Sequence, residues 1–184
     1  MNNPNSSATP NNPSTSSQKS SAADAPSIPK LNLSPELAEF VGLCLSSKVD
    51  FLLVGGYALA FHGAPRFTED IDLLVATNEQ NAARLQTILG EFGVSTNDVT
   101  ERDLLIPGQV IQIGRPPNRV DLLTSIDGVT WEEAWASKIY IDFAGHQCPV
   151  IGRDAIIQNK KATARPQDIA DVARLTASVS NLKH

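Results

Sequence analysis

The sequence is poor in the features that would mark several common classes. It has 2 cysteines in 184 residues. Cys44 and Cys148 are too few for a disulfide scaffold and are not spaced as metal ligands. Both are expected to be small buried residues in a protein of a reducing compartment. No run of about 18 apolar residues is present, so no membrane span is expected. There is no Gly-Lys-Ser/Thr P-loop and no Gly-x-Gly-x-x-Gly fingerprint. Basic charge is also short, with 15 Lys and Arg against 20 Asp and Glu. The chain as a whole is therefore not a basic nucleic-acid binder. Basic residues do gather locally: Lys160, Lys161 and Arg165 lie close together, and Arg115 and Arg119 lie near Asp121.

Residues 1–30 lack core-forming residues, with Ile28 the only branched aliphatic side chain among Asn, Ser, Pro, Thr and Ala. Such a segment cannot bury enough apolar surface to offset its ordering entropy, and a disordered tail is expected. It has no apolar h-region and no arginine, which argues against a secretory or mitochondrial leader. Residues 31–184 are left as one domain with one core, and a cytoplasmic location is expected.

Within that domain, Ser34-Pro35 reads as the N-cap and first position of a helix over 35–47. Phe51 to Val54 is a short apolar strand, followed by Gly55-Gly56 and a short helix from Tyr57 to His62. Asp70 to Val75 alternates as a strand. Asn78 to Glu91 is an amphipathic helix with Ala82, Leu85, Ile88 and Leu89 on one face. Val110 to Ile113 and Val120 to Leu123 are further strands across a Pro-rich turn. Thr130 and Glu133 form a capping box for a short helix. A hairpin follows across Ala144-Gly145-His146, then helices over 153–163 and 167–179. Strands and helices alternate early and helices close the chain. The expectation is an α+β fold, α/β-like at its start, with a small mixed sheet flanked by helices.

The chemistry concentrates in carboxylates. Asp70 and Asp72 are two apart on a strand and so share a face, while Ile71, Leu73 and Val75 take the packed side. Two adjacent carboxylates repel, and a bound cation removes that penalty. Mg²⁺ favours oxygen ligands together with substrate phosphates. Asp121 begins another apolar strand, and three acids converge if the two strands are neighbours. Gly55 and Gly56 sit where a backbone without side chains can approach a phosphate at a helix start. Taken singly, a D-x-D on a strand is more often a solvated face and a Gly-Gly a plain turn. The combination and its order are what point to a site.

The run LLVGGYALAFHGAPRFTEDIDLLV resembles the nucleotidyltransferase fold of the DNA polymerase β superfamily. Arg66 and Thr68 ahead of Asp70 and Asp72 look like its small prokaryotic branch of minimal nucleotidyltransferases and abortive-infection toxin–antitoxin proteins. NKKATARPQDIADV is similar to that branch's C-terminal block, with Lys160, Arg165, Asp168 and Asp171 as the matching positions. The resemblance spans about residues 50–178. It departs at Gly56, where the branch often has a serine whose hydroxyl can touch phosphate.

The resemblance implies transfer of a nucleoside monophosphate from an NTP to a hydroxyl acceptor on RNA, protein or a small molecule. Two Mg²⁺ ions would be held by Asp70, Asp72 and Asp121, which are the implied catalytic residues. Gly55, Gly56, Arg66, Thr68 and Lys160 are the implied nucleotide-binding residues. A cognate toxin or antitoxin protein is an implied partner. His62 reads as structural. Asp168 and Asp171 share a helix face and read as ion-pair partners of Arg165 and Arg174 rather than metal ligands. Two other readings compete: a non-catalytic nucleotide-binding regulator or antitoxin that docks a partner, and aminoglycoside-type transfer. The second lacks an obvious drug-binding domain.

Overall fold

The computed structural model of the chain describes residues 34–143 and 145–180. The segment expected to be a disordered tail, Ala144 in the expected hairpin turn and the last four residues lie outside them. Helix α1 (Pro35–Ser46) starts where the sequence indicates, with Ser34 Oγ accepting from the Leu37 N–H at 3.3 Å. Leu37, Phe40, Val41 and Cys44 form its buried stripe at the i, i+3, i+4, i+7 spacing of one helix face.

Strand β1 (Phe51–Val54) is buried at every position. It runs straight into α2 (Gly55–Phe61), so both glycines are the first residues of the helix rather than a loop before it. β2 (Asp70–Val75) is followed by α3 (Glu79–Glu91), capped by the Asn78 side chain. Asn81 is fully buried and ties the ends of β1 and β2 together through Asp50 and Ala76. A short helix α4 (Glu101–Leu105) lies in the segment for which the sequence suggested no element. Its signal is a Thr100/Asp103 capping box. β3 (Val110–Ile113), β4 (Arg119–Leu123) and α5 (Trp131–Ala136) follow. β5 (Ile139–Phe143), β6 (His146–Val150), α6 (Arg153–Thr163) and α7 (Pro166–Ser180) complete the chain.

The six strands form one mixed sheet in the order β3-β4-β2-β1-β6-β5. β1 is antiparallel to β2 and parallel to β6, while β2 and β4 are parallel neighbours. This is the α+β architecture expected from the sequence, with α3, α4 and β3 making the crossover between β2 and β4. The register of that parallel pair decides the site: Asp72 stands opposite Asp121 and Asp70 opposite Arg119. The core runs from α1 and α3 through the central strands, and Ile71, Leu73 and Leu122 are completely buried.

Candidate functional site

Alternation along β2 buries Ile71 and Leu73 and turns Asp70 and Asp72 to the other face. The parallel register then sets Asp121, only 6% exposed, beside Asp72. All three carboxylates line one cleft of about 1010 Å³, whose far wall is α6, α7 and the loop before β2. The convergence that the sequence made conditional on neighbouring strands is therefore met.

The loop and the glycines are built around these acids. Thr68 Oγ1 donates to Asp70 Oδ1 at 2.5 Å and so orients that carboxylate. Gly55 has φ +59°, and a Cβ there would overlap the Asp72 carboxylate. A Cβ on Gly56 would lie 2.8 Å from the Thr68 Cβ. Gly55 makes room for Asp72 and Gly56 for Thr68; of the two, Gly55 lines the cleft. The Gly56 N–H hydrogen-bonds the Asp72 carboxylate.

Burial, then the like charges of Asp70 and Asp121, push the Asp72 carboxyl up to about 6; the Gly56 N–H and the charge of Lys160 offset part of this. Such an acid is short of positive charge. Asp70 and Asp121 are not, because Arg119 bridges them. Its Nε donates to Asp121 Oδ1 at 2.8 Å and its Nη2 to Asp121 Oδ2 at 3.2 Å and to Asp70 Oδ2. Gln112 on β3 adds a 3.3 Å hydrogen bond to Asp121 Oδ2. As donors, three carboxylates on adjacent strands suit a hard divalent cation, and the bare Gly55 leaves Asp72 its room. Among the described residues, however, no three such side chains stand in an arrangement ready to hold a metal ion. Arg119 holds two of the three.

The far wall is basic and tightly anchored. Lys160 is 5% exposed rather than a surface lysine, and its Nζ sits 2.8 Å from Asp168 Oδ1. Arg165 Nε reaches Asp168 Oδ2 at 2.6 Å. Burial alone would raise the Asp168 carboxyl, but hydrogen bonds from Arg165, Lys160 and Thr163 outweigh it and hold it well below the usual carboxylate range. Asp171, one turn on and fully buried, meets Arg66 Nε and Arg174 Nη1, each at 3.4 Å. With its amide turned to accept, Gln167 takes Arg66 Nε and Nη1 at 3.2 and 3.0 Å. Asp168 and Asp171 are thus the ion-pair partners the sequence suggested, and they fix Lys160, Arg165 and Arg66 around the cleft. Ala164, in the left-handed region at φ 49°, turns the chain between α6 and Arg165.

His62 is structural in placement: its Nε2 is 2.8 Å from the Ile151 carbonyl. The two cysteines are buried, as expected, and burial pushes both thiols up to about 12. In the sequence Arg119 stands out only as a basic residue near Asp121. The signal was available, since Arg119 lies two residues before Asp121 on a strand and must share its face.

A family model described as nucleotidyl transferase AbiEii toxin, type IV toxin–antitoxin system, matches residues 44–149. The solution structure of the antibiotic-resistance factor ANT(2'')-Ia is similar at 15% identity, covering 78% of this chain and 82% of that one, with a TM-score of 0.52. The crystal structure of ANT(2'')-Ia in complex with adenylyl-2''-tobramycin is similar at 16% identity over 78% and 87%, TM-score 0.49. An antigenic nucleotidyltransferase-like protein from Paracoccidioides brasiliensis is similar at 15% identity over 77% and 76%, TM-score 0.46. No curated protein sequence matches the chain.

Proposed function

The chain belongs to the AbiEii nucleotidyl transferase toxin family of type IV toxin–antitoxin systems, and from that premise we propose that it moves a nucleoside monophosphate from an NTP to an acceptor hydroxyl, with Mg²⁺ held by Asp70, Asp72 and Asp121. Its mixed sheet is the nucleotidyltransferase fold, shared with the ANT(2'')-Ia solution structure. The observation that carries the site assignment is the β2–β4 register, which lines up Asp72 with Asp121 and leaves Asp70 one pleat away. Opposite them Lys160, Arg165 and Arg66 form a cationic wall on the same cleft. An acidic wall facing a basic wall is the charge pattern a metal–triphosphate complex requires.

In the proposed reaction the acceptor oxygen attacks the α-phosphorus as the bond to the β-phosphate bridging oxygen breaks, and pyrophosphate leaves. Asp121 takes the acceptor proton. Lys160 and Arg66 receive phosphate oxygens; the guanidinium of Arg66 suits that contact, because α7 fixes its position. Gly55 offers backbone without a side chain on the same cleft, the buried Gly56 spends its N–H on Asp72, and Thr68 keeps Asp70 in place. When bound, two Mg²⁺ ions would neutralise charge on the transferring group and its leaving oxygen. The acceptor is a hydroxyl of RNA, protein or a small molecule, a cognate antitoxin is the protein partner, and the cytoplasm is the proposed location. Among the described residues no helix is long and apolar enough to cross a membrane.

The test is incubation of the full chain with each of the four α-labelled NTPs, Mg²⁺, and total RNA or a protein extract. Transfer of label to an acceptor is expected with the wild type. The Asp70→Ala/Asp72→Ala variant should lose it. Label transfer that persists in that variant would refute the proposed site.

A further inference from the structure

Arg119 needs an explanation of its own. It stands opposite Asp70 on the neighbouring parallel strand and two residues before Asp121 on its own strand. The sheet therefore sets all three side chains on one face, whatever the loops do. The guanidinium uses Nε and Nη2 to span the two carboxylates, one on each strand. This matches its chemistry, since a planar fork can bridge two acceptors at once where an ammonium acts as a point charge. Asp72 takes part in none of these ion pairs.

A divalent cation would compete with this guanidinium for Asp70 and Asp121. Arg119 already occupies both Asp121 oxygens and Asp70 Oδ2, and two cations at hydrogen-bond range in a half-buried cleft repel strongly. The freed guanidinium would remain on a wall of the cleft that is proposed to receive the triphosphate.

We propose that Arg119 is the resident counter-ion of the carboxylate triad: it holds Asp70 and Asp121 in the metal-free protein, competes with the divalent cation for them, and passes to the nucleotide's phosphates when the metal loads. The inference rests on reading Asp70, Asp72 and Asp121 as metal ligands. It accounts for a guanidinium seated between two of the three acidic side chains. It also makes metal loading an exchange of cations rather than the filling of a naked acidic cluster, so metal alone binds weakly.

Mn²⁺ binding to the full-length, nucleotide-free chain, followed by electron paramagnetic resonance, tests this with wild type, Arg119→Gln and Arg119→Lys. Loss of a charge-assisted pair of this kind predicts Mn²⁺ binding tighter by on the order of tenfold in Arg119→Gln. Arg119→Lys keeps the charge but cannot span both carboxylates, and should also bind Mn²⁺ more tightly than wild type. In transfer assays Arg119→Gln should raise KM for the NTP, giving the opposed signature of tighter metal and weaker nucleotide. A purely structural arginine would not produce that pair of effects. Equal or weaker Mn²⁺ binding in Arg119→Gln, or an Arg119→Lys variant indistinguishable from wild type, would overturn the proposal while leaving the metal reading intact. Failure of all three proteins to bind Mn²⁺ would overturn the metal reading itself, and this inference with it.

Discussion

Replacing Asp72 with asparagine should stabilise the metal-free protein while removing its activity. The Asp72 carboxyl rises from an ordinary 3.8 to about 6, through burial and then the charges of Asp70 and Asp121. At about 1.4 kcal/mol for each tenfold change, ionising this group in the folded state costs up to about 3 kcal/mol. Between the two values the folded state binds more protons than the unfolded one, so stability falls as pH rises. Below the ordinary value the penalty is absent, and above about 6 it is complete. Asparagine keeps an acceptor for the Gly56 N–H and removes the charge. In EDTA at neutral pH the Asp72→Asn variant should therefore melt several degrees above wild type, since roughly 2–4 °C accompanies each kcal/mol in a domain of this size. Near pH 5 the gap should shrink to about half. Adding Mg²⁺ together with a non-hydrolysable NTP at neutral pH should narrow it again, because the proposed metal ligation needs the Asp72 carboxylate that only the wild type supplies. Differential scanning calorimetry reads all three conditions. An asparagine variant no more stable than wild type at neutral pH, or a gap that widens on acidification, would refute the reasoning.

Other substitutions separate the parts of the site. Asp168→Asn leaves Lys160 buried without its carboxylate and should cost about 3–5 kcal/mol in urea unfolding, as breaking a buried pair does. Gly55→Ala puts a methyl group onto the Asp72 carboxylate at a left-handed φ of +59°. Displacing that acid should lower kcat/KM by about a hundredfold in steady-state assays. Asp171→Asn should raise KM for the NTP as much as Arg66→Gln does, and the double variant should be no worse, since Asp171 acts by fixing Arg66. Ala164→Gly should raise the melting temperature, because glycine relieves about 1 kcal/mol of left-handed strain at φ 49°.

How much of this was legible beforehand depends on which residues are considered. The strands carrying Asp70, Asp72 and Asp121 could be read from alternation, because a sheet face has a period of two and the apolar partners Ile71, Leu73 and Leu122 mark the buried side. The helix caps at Ser34 and Thr130 were equally local signals, whereas Asn78, expected as the first helical residue, is the cap of α3. That β2 and β4 are neighbours was not local. Parallel pairing across an intervening helix and strand depends on how α3, α4 and β3 pack, and only that pairing brings Asp121 to Asp72. The small helix α4 was missed although Thr100 and Asp103 have capping-box spacing, because five residues give no hydrophobic period to detect. The reason for Gly55 was only half visible: backbone freedom at a strand–helix junction was evident, but the Asp72 carboxylate that would strike a Cβ comes from another strand. Lys160 could not be told from a surface lysine by sequence, since its burial comes from α7 folding back to offer Asp168.

The most direct measurement follows the two ends of the nucleotide separately. Parallel reactions with α-labelled and γ-labelled NTP, Mg²⁺ and an acceptor should place the α-label on the acceptor and the γ-label in released pyrophosphate, in equal amounts. Asp72→Asn should abolish both signals although the protein is more stable. Transfer of the γ-label to the acceptor, or an undiminished α-transfer by Asp72→Asn, would contradict nucleotidyl transfer at this carboxylate site.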